Sequence, residues 1–137
     1  MIFNITYNSR KTEDQIKSLV GPSFSFLERI RMKGIGTSKM IIRTASSEIL
    51  DLLSDTADTD YCHLEMRKKG IIVGFISKGR VYAWAIPYYK LVIYSQSGNL
   101  TIFDDTHKID LKPAFNRTID RKFVIKILEQ KSLLHHN

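Results

Sequence analysis

The sequence predicts an α+β protein, with a helical N-terminal arm followed by an antiparallel meander that forms a barrel or roll, capped by a C-terminal amphipathic helix. Three observations carry that expectation. Residues 61–111 hold about six short segments of alternating apolar and polar character, separated by little more than tight turns. Residues 117–134 place apolar side chains at helical spacing with cations between them. The first sixty residues mix one alternating stretch with helix start and stop signals. Residues 1–60 are expected to pack as a strand and helices on a body formed by residues 61–137, the two making one unit.

Residues 1–7 alternate, with Phe3, Ile5 and Tyr7 on one side, which is the period of a strand. Thr12 and Gln15 have capping-box spacing, so a helix is expected from there to Gly21-Pro22, where glycine permits a left-handed cap and proline cannot continue. Phe24, Leu27, Ile30 and Met32 suggest a second helix ending at Gly34, with Gly34-Ile35-Gly36 as a loop. Residues 38–55 are ambiguous. Met40 to Ile42 fit a strand, yet Ile41, Ala45, Ile49, Leu52 and Leu53 also recur along one helix face, and 46–53 is helical on both readings. Residues 55–60 are polar and read as a linker or exposed loop.

In the meander, Leu64 and Met66 share one face of the first strand while His63, Glu65 and Arg67 take the other. Gly70 marks a turn or bulge; Ile71, Val73 and Phe75 share a face of the next strand; Lys78-Gly79 supplies a hairpin turn. Beyond it Tyr82, Trp84 and Ile86 oppose the small Val81, Ala83 and Ala85, so one face is bulky and the other leaves room for something to lie close. Pro87 belongs at a strand end, since it cannot donate to a ladder. Tyr89, Leu91 and Ile93 continue a buried face, with Lys90 and Tyr94 opposite. Ser97-Gly98-Asn99 and Asp104-Asp105-Thr106 turn the chain, and Lys112-Pro113 ends the sheet. Asn116 or Thr118 can cap the last helix, whose stripe is Ile119, Phe123, Val124, Ile127 and Leu128, with Arg117, Arg121, Lys122, Lys126 and Lys131 opposite.

The composition is that of one domain with its own core: 137 residues, 43% hydrophobic and 26% charged. A chain of this length buries roughly two-thirds of its unfolded surface and needs no staple. Cys62 is the only cysteine, so no intramolecular disulfide can form and a reducing compartment fits. The start MIFNITYNSR has no leader pattern, and no apolar stretch reaches the roughly 18 residues a membrane span needs. The expected location is the cytoplasm.

The net charge of +7 is unevenly placed. Residues 1–61 carry eight Lys or Arg against eight Asp or Glu, and residues 62–137 carry thirteen against six, so the whole excess belongs to the meander and its helix. Residues 44–60 hold Glu48, Asp51, Asp55, Asp58 and Asp60 with no cation. A basic face of this kind attracts nucleic acid, acidic protein or anionic lipid, or it simply keeps a surface solvated.

No residue set matches a catalytic or cofactor motif. Cys62 and His63 are neighbours on a strand, so their side chains point to opposite faces and cannot form a thiolate–imidazole pair. His107 lies near Asp104, Asp105 and Asp110 in sequence, without the helical His or Cys spacing of a metal site. Tyr82, Trp84, Tyr88, Tyr89 and Tyr94 among Lys78, Arg80 and Lys90 could stack nucleic-acid bases, although Tyr82 and Trp84 are more economically placed in a core. No cofactor and no metal are expected.

The succession GFISKGRVYAWAIPYYKLVIYSQSGNLTIF, followed by HKIDL and a terminal helix, resembles a bacterial pleckstrin-homology-like domain, in which a hairpin, an "IPY"-type strand start, a Gly-containing turn and a final helix recur. The resemblance covers residues 62–134. It implies two nearly orthogonal sheets of seven strands with the helix plugging one end, so a seventh strand is expected from residues 1–7 or 39–43. It also implies a protein-interaction or membrane-associated scaffold rather than a catalyst. Lipid-binding members gather a Lys/Arg-x-Arg triplet on a strand; here Lys78-Gly79-Arg80, with Lys69 upstream, falls on a turn.

The expected function is therefore a non-enzymatic binding module whose first partner class is a protein, met on an unpaired sheet edge or on a basic face. The expected contact residues are Lys78, Arg80, Lys90 and Tyr88. Nucleic acid or an anionic membrane surface is the alternative partner, and an enzyme of unrecognised class the third reading.

Overall fold

A computed structural model describes residues 1–7, 9–37, 39–53, 60–114 and 117–135, with His135 described by its backbone only. Along the chain run β1 (Ile2–Asn4), α1 (Arg10–Val20), α2 (Phe26–Arg31), β2 (Met40–Ala45), α3 (Ser47–Leu52) and β3 (Tyr61–Met66). These are followed by β4 (Gly70–Ser77), β5 (Arg80–Pro87), β6 (Val92–Gln96), β7 (Asn99–Phe103), β8 (Lys108–Pro113) and α4 (Arg121–His135). The expected linker over 55–60 lies almost wholly outside the described residues, as do the expected cap Asn116 and part of the sequence around Ser38.

All eight strands belong to one antiparallel sheet in the order β1-β5-β4-β3-β2-β8-β7-β6. The sheet is open: among the described residues β1 pairs only with β5 and β6 only with β7, so of the expected barrel or roll the closed barrel is not borne out. The ambiguous segment resolves as strand then helix, and β2 is the splice of the sheet. Its Met40 and Ile41 pair with β3, while Met40 to Ala45 pair with β8 across a register shift between Ile42 and Thr44. One core lies inside the roll, because Phe75, Tyr82 and Trp84 from β4 and β5 join Ile93, Ile102, Ile109 and Leu111 from β6 to β8. Phe123 and Ile127 of α4 enter the same core, whereas Leu128 stays exposed and narrows the expected stripe.

The hairpins form as their turn residues require. Lys78 and Gly79 have φ of 54° and 74°, and Ser97 and Gly98 have 53° and 81°; two consecutive positive φ values match the right-handed twist of the flanking strands. Asp104 holds the next turn by accepting at Oδ1 from the N–H groups of Thr106 and His107, both at 2.8 Å. Tyr89 breaks the expected alternation. The chain turns over Tyr88 to Lys90, where Lys90 and Leu91 donate to the Pro87 carbonyl, and Tyr89 is left exposed.

The small face of β5 is occupied by α1. Ile16 and Val20 pack with Phe3, Ile72, Ala83 and Ala85 in a second apolar cluster on the outer side of the sheet. Ile16 and Val20 each gain about 1.5–3 kcal/mol of transfer free energy when fully buried, which offsets the entropy of ordering the helix. Ser9, rather than Thr12, caps this helix by accepting from the Thr12 N–H at 3.2 Å, so the helix starts earlier than the Thr12–Gln15 spacing suggests. The capping box of this arm is on α2 instead, between Ser25 and Glu28. Tyr7 is exposed beyond the end of β1, and Leu27 and Ile30 of α2 face solvent although their spacing with Phe24 suggests a buried stripe.

At Gly70 α1 lies close against the sheet. A Cβ there would meet the Ile86 carbonyl oxygen at 2.3 Å and Val20 Cγ1 at 2.7 Å. Backbone on one side and a buried helix on the other leave nowhere to shift. Gly70→Ala is expected to lower stability by about 1–3 kcal/mol through overpacking, read as a fall in the urea midpoint, and an unchanged midpoint would show that α1 can lift off β4 at little cost.

Candidate interaction surface

The expected contact residues do not come together. Lys78 and Arg80 sit at the β4–β5 turn, both exposed and without an ion-pair partner among the described residues. Lys90 follows the far end of β5, about 20 Å of strand away at ~3.3 Å per residue, and its Nζ lies 3.5 Å from Asp105 Oδ2. Tyr88 is a core residue at 1% exposure, its hydroxyl donating to the Arg67 carbonyl at 2.9 Å, and burial pushes its phenol far above the ordinary value. Tyr88 is thus withdrawn from contact with any partner, and the three cations form two separate groups.

The arrangement that does gather accessible groups is the free margin of the sheet. The two-residue turn at Ser97-Gly98 makes Gln96 and Asn99 the hydrogen-bonded pair beside it, and the alternation of an antiparallel ladder then makes Tyr94–Thr101 and Val92–Phe103 bonded pairs as well. Ile93 and Ser95 consequently turn their N–H and C=O groups away from β7, toward the open side. Edge strands are normally guarded by lysine, proline or a bulge. The segment Val-Ile-Tyr-Ser-Gln has none of these. Beside its turn end lies a groove of about 1240 Å³ bordered by Ser95, Gln96, Pro113, Arg117, Arg121 and Lys122. Among the described residues no carboxylate pairs with those three cations. Asp120 in the same segment accepts from the Phe123 N–H at Oδ1, 3.1 Å away, and so begins α4 in place of Thr118.

A second cleft, of about 710 Å³, holds His107 with Glu48, Asp104 and Asp105. His107 is nearly buried, its ring edge-on to Trp84 at 5.8 Å, with Nε2 3.5 Å from Glu48 Oε2 and Nδ1 lacking a partner. Asp104 is occupied structurally: Oδ2 accepts from Trp84 Nε1 at 3.1 Å while Oδ1 holds the turn. Burial alone would raise its carboxyl, but the hydrogen bonds from the His107 and Thr106 backbones and from Trp84 outweigh burial and hold it below the ordinary range. No hydroxyl or thiol bonds to His107 among the described residues, so this cleft shows no activated nucleophile. Asp110 is likewise engaged, accepting from Thr101 Oγ1 at 2.6 Å. Among the described residues no group of three His, Cys, Asp or Glu is placed to hold a metal. Cys62 is in the core, its thiol pushed far up by burial, and His63 lies on the other face over Gly74.

Compared with protein-family models, curated proteins and solved structures, the chain matches none. No helix among the described residues is long and apolar enough to cross a membrane. The free edge escaped the sequence because strand order is a tertiary property. The one available signal was the absence of charge and proline from residues 92–96, which becomes informative only once the strand is known to lie at a margin.

Asp104 joins four hydrogen bonds to one carboxylate, from Trp84 Nε1, the Thr106 N–H and hydroxyl, and the His107 N–H, so its loss can be read in stability. With its folded pKa below an ordinary value of about 3.9, the carboxylate contributes fully above that pH and loses its contribution as pH falls through the folded value. Asp104→Ala is expected to cost about 1–3 kcal/mol at neutral pH by orphaning the Trp84 N–H, and to flatten the loss of stability as pH falls below about 4; denaturant titrations at neutral and acid pH check both.

Proposed function

We propose that this protein is a non-enzymatic binding module of the cytoplasm that takes up an extended segment of a protein partner along β6. The observation that supports this reading is the unguarded five-residue edge, with the main-chain groups of Ile93 and Ser95 directed outward and a cationic groove at its turn end. A strand added there gains main-chain hydrogen bonds for affinity, and its side chains alternate between the core side and the solvent side for selectivity. Arg117, Arg121 and Lys122 favour a partner segment with acidic residues at that end.

The same reading accords with a pleckstrin-homology-like body. β2 to β8 supply seven consecutive places in the sheet, the seventh strand coming from Met40–Ala45, and α4 buries Phe123 and Ile127 against them. β1 adds an eighth strand outside that set. The separation of Lys78 and Arg80 from Lys90 weakens the alternative of nucleic acid or lipid held on one face by those three cations.

Ser95→Pro separates the edge from the rest of the protein. Its N–H is directed away from β7, so proline removes a donor from the partner's ladder and none from the fold. With a partner recovered from the native cell and identified by mass spectrometry, Ser95→Pro is expected to weaken binding at least roughly tenfold while keeping the thermal midpoint. Lys78→Glu with Arg80→Glu is expected to leave affinity unchanged. Equal affinity for Ser95→Pro and wild type, with loss in the double charge reversal, would move the interface to the β4–β5 turn.

A further inference from the structure

α2 turns an apolar face to solvent. At about 100° per residue, Phe26, Ile30 and Leu27 fall within one third of the helix circumference, and they are 77%, 59% and 66% exposed. Arg29 and Arg31 flank that arc on its two sides. Glu28 lies opposite, where its carboxylate accepts from the Ser25 N–H at 3.0 Å and sits 3.4 Å from Lys68 Nζ. Lys33 follows the helix, and its carbonyl and that of Gly34 accept from Lys126 Nζ of α4, each at 3.4 Å, which brings a cation from the far end of the chain to the same corner. Residues 29–43 carry five Lys or Arg and no Asp or Glu.

We infer that this corner docks on an anionic lipid surface, with Phe26, Leu27 and Ile30 entering the boundary between headgroups and acyl chains and Arg29, Arg31, Lys33 and Lys126 meeting lipid phosphates. Three apolar side chains projecting from a single turn of helix suit a fluid interface that closes around them, whereas a protein partner would need a preformed pocket. A second copy is disfavoured by charge, because apposing the patch to itself brings its cations together. Nucleic acid supplies the phosphates but nothing to cover Leu27 and Ile30. The surface is distinct from the β6 edge and does not depend on the partner assigned there.

The experiment is flotation of the intact protein with vesicles of phosphatidylcholine alone and of phosphatidylcholine mixed with phosphatidylglycerol. Wild type is expected to float with the mixed vesicles only, less at high salt. Phe26→Ser, Leu27→Ser and Ile30→Ser together are expected to cut the bound fraction roughly tenfold or more, and Arg31→Glu with Lys33→Glu to do the same at about fivefold per cation or more. These side chains are exposed, so the thermal midpoint is expected to hold and a fold defect can be told apart. Phe26→Trp adds a position-specific readout over the buried Trp84: its emission is expected to shift to the blue on mixed vesicles. Flotation unaffected by the triple serine variant, or binding without the blue shift, overturns the proposal. A wild type that ignores vesicles but forms a dimer lost in the triple variant, or that binds an acidic protein through these side chains, overturns it in favour of that occupant.

Discussion

The enclosed core depends on the placement of Trp84. An indole buried at 0% exposure in the middle of a sheet needs a partner for its N–H, and its own strand cannot supply one because the ladder uses only backbone groups. The acceptor comes from the other half of the roll, from Asp104 just beyond β7. One carboxylate thereby fixes the distance between β5 and the β7–β8 turn, and its second oxygen fixes the turn itself. His107, packed edge-on against the indole, is carried inward by that turn, and its unpartnered Nδ1 is the local cost of placing the turn there.

What the clasp holds together, β2 makes continuous. A chain that only followed its hairpins would give two separate sheets, β3-β4-β5 and β6-β7-β8. Inserting Met40–Ala45 between β3 and β8 joins them, and the register shift near Arg43 lets one short strand serve two neighbours that diverge. That join also decides where the margins fall. With β2 at the centre, the free edges are the two strands farthest from it. β1, three residues long, offers little to a partner, whereas β6 is longer and carries no guarding residue.

Local features were legible in the sequence wherever two local signals agreed. Lys78-Gly79 and Ser97-Gly98 each combined a glycine with flanking alternation, and both formed the expected hairpins. The contrast between Tyr82, Trp84, Ile86 and Val81, Ala83, Ala85 correctly foretold a close neighbour, which is α1. Signals failed where a tertiary choice decided. Tyr88 and Tyr89 exchange roles because the chain turns at Pro87, and no local pattern says which of two adjacent tyrosines will be buried. Thr12 was displaced as a cap by Ser9, since both residue types serve and only the helix start chooses. The candidate edge was legible as a strand but not as an edge. The first part of the chain counts as neutral only because the basic stretch 29–43 and the acidic stretch 44–60 cancel, so a segment total concealed a local cation cluster.

The exposure of α2 follows from how it is anchored. Helices of six residues have no stability of their own, because nucleation costs more than so few hydrogen bonds return. This one is held at its start by the Ser25–Glu28 box and at its end by the Glu28 carbonyl accepting from Met32 and the Arg29 carbonyl from Gly34, whose φ of 100° glycine adopts freely. Phe24 before it and Ile35 after it are buried in the core, and Met32 packs against that core. Turning Phe26, Leu27 and Ile30 inward would rotate the helix and pull those anchors out, exchanging buried side chains for others of similar size with no net gain. Single exposed residues such as Ile76 or Tyr89 are ordinary on a protein surface. Three on one turn, kept outward by anchors that belong to the core, are a consequence of the same packing that builds the core.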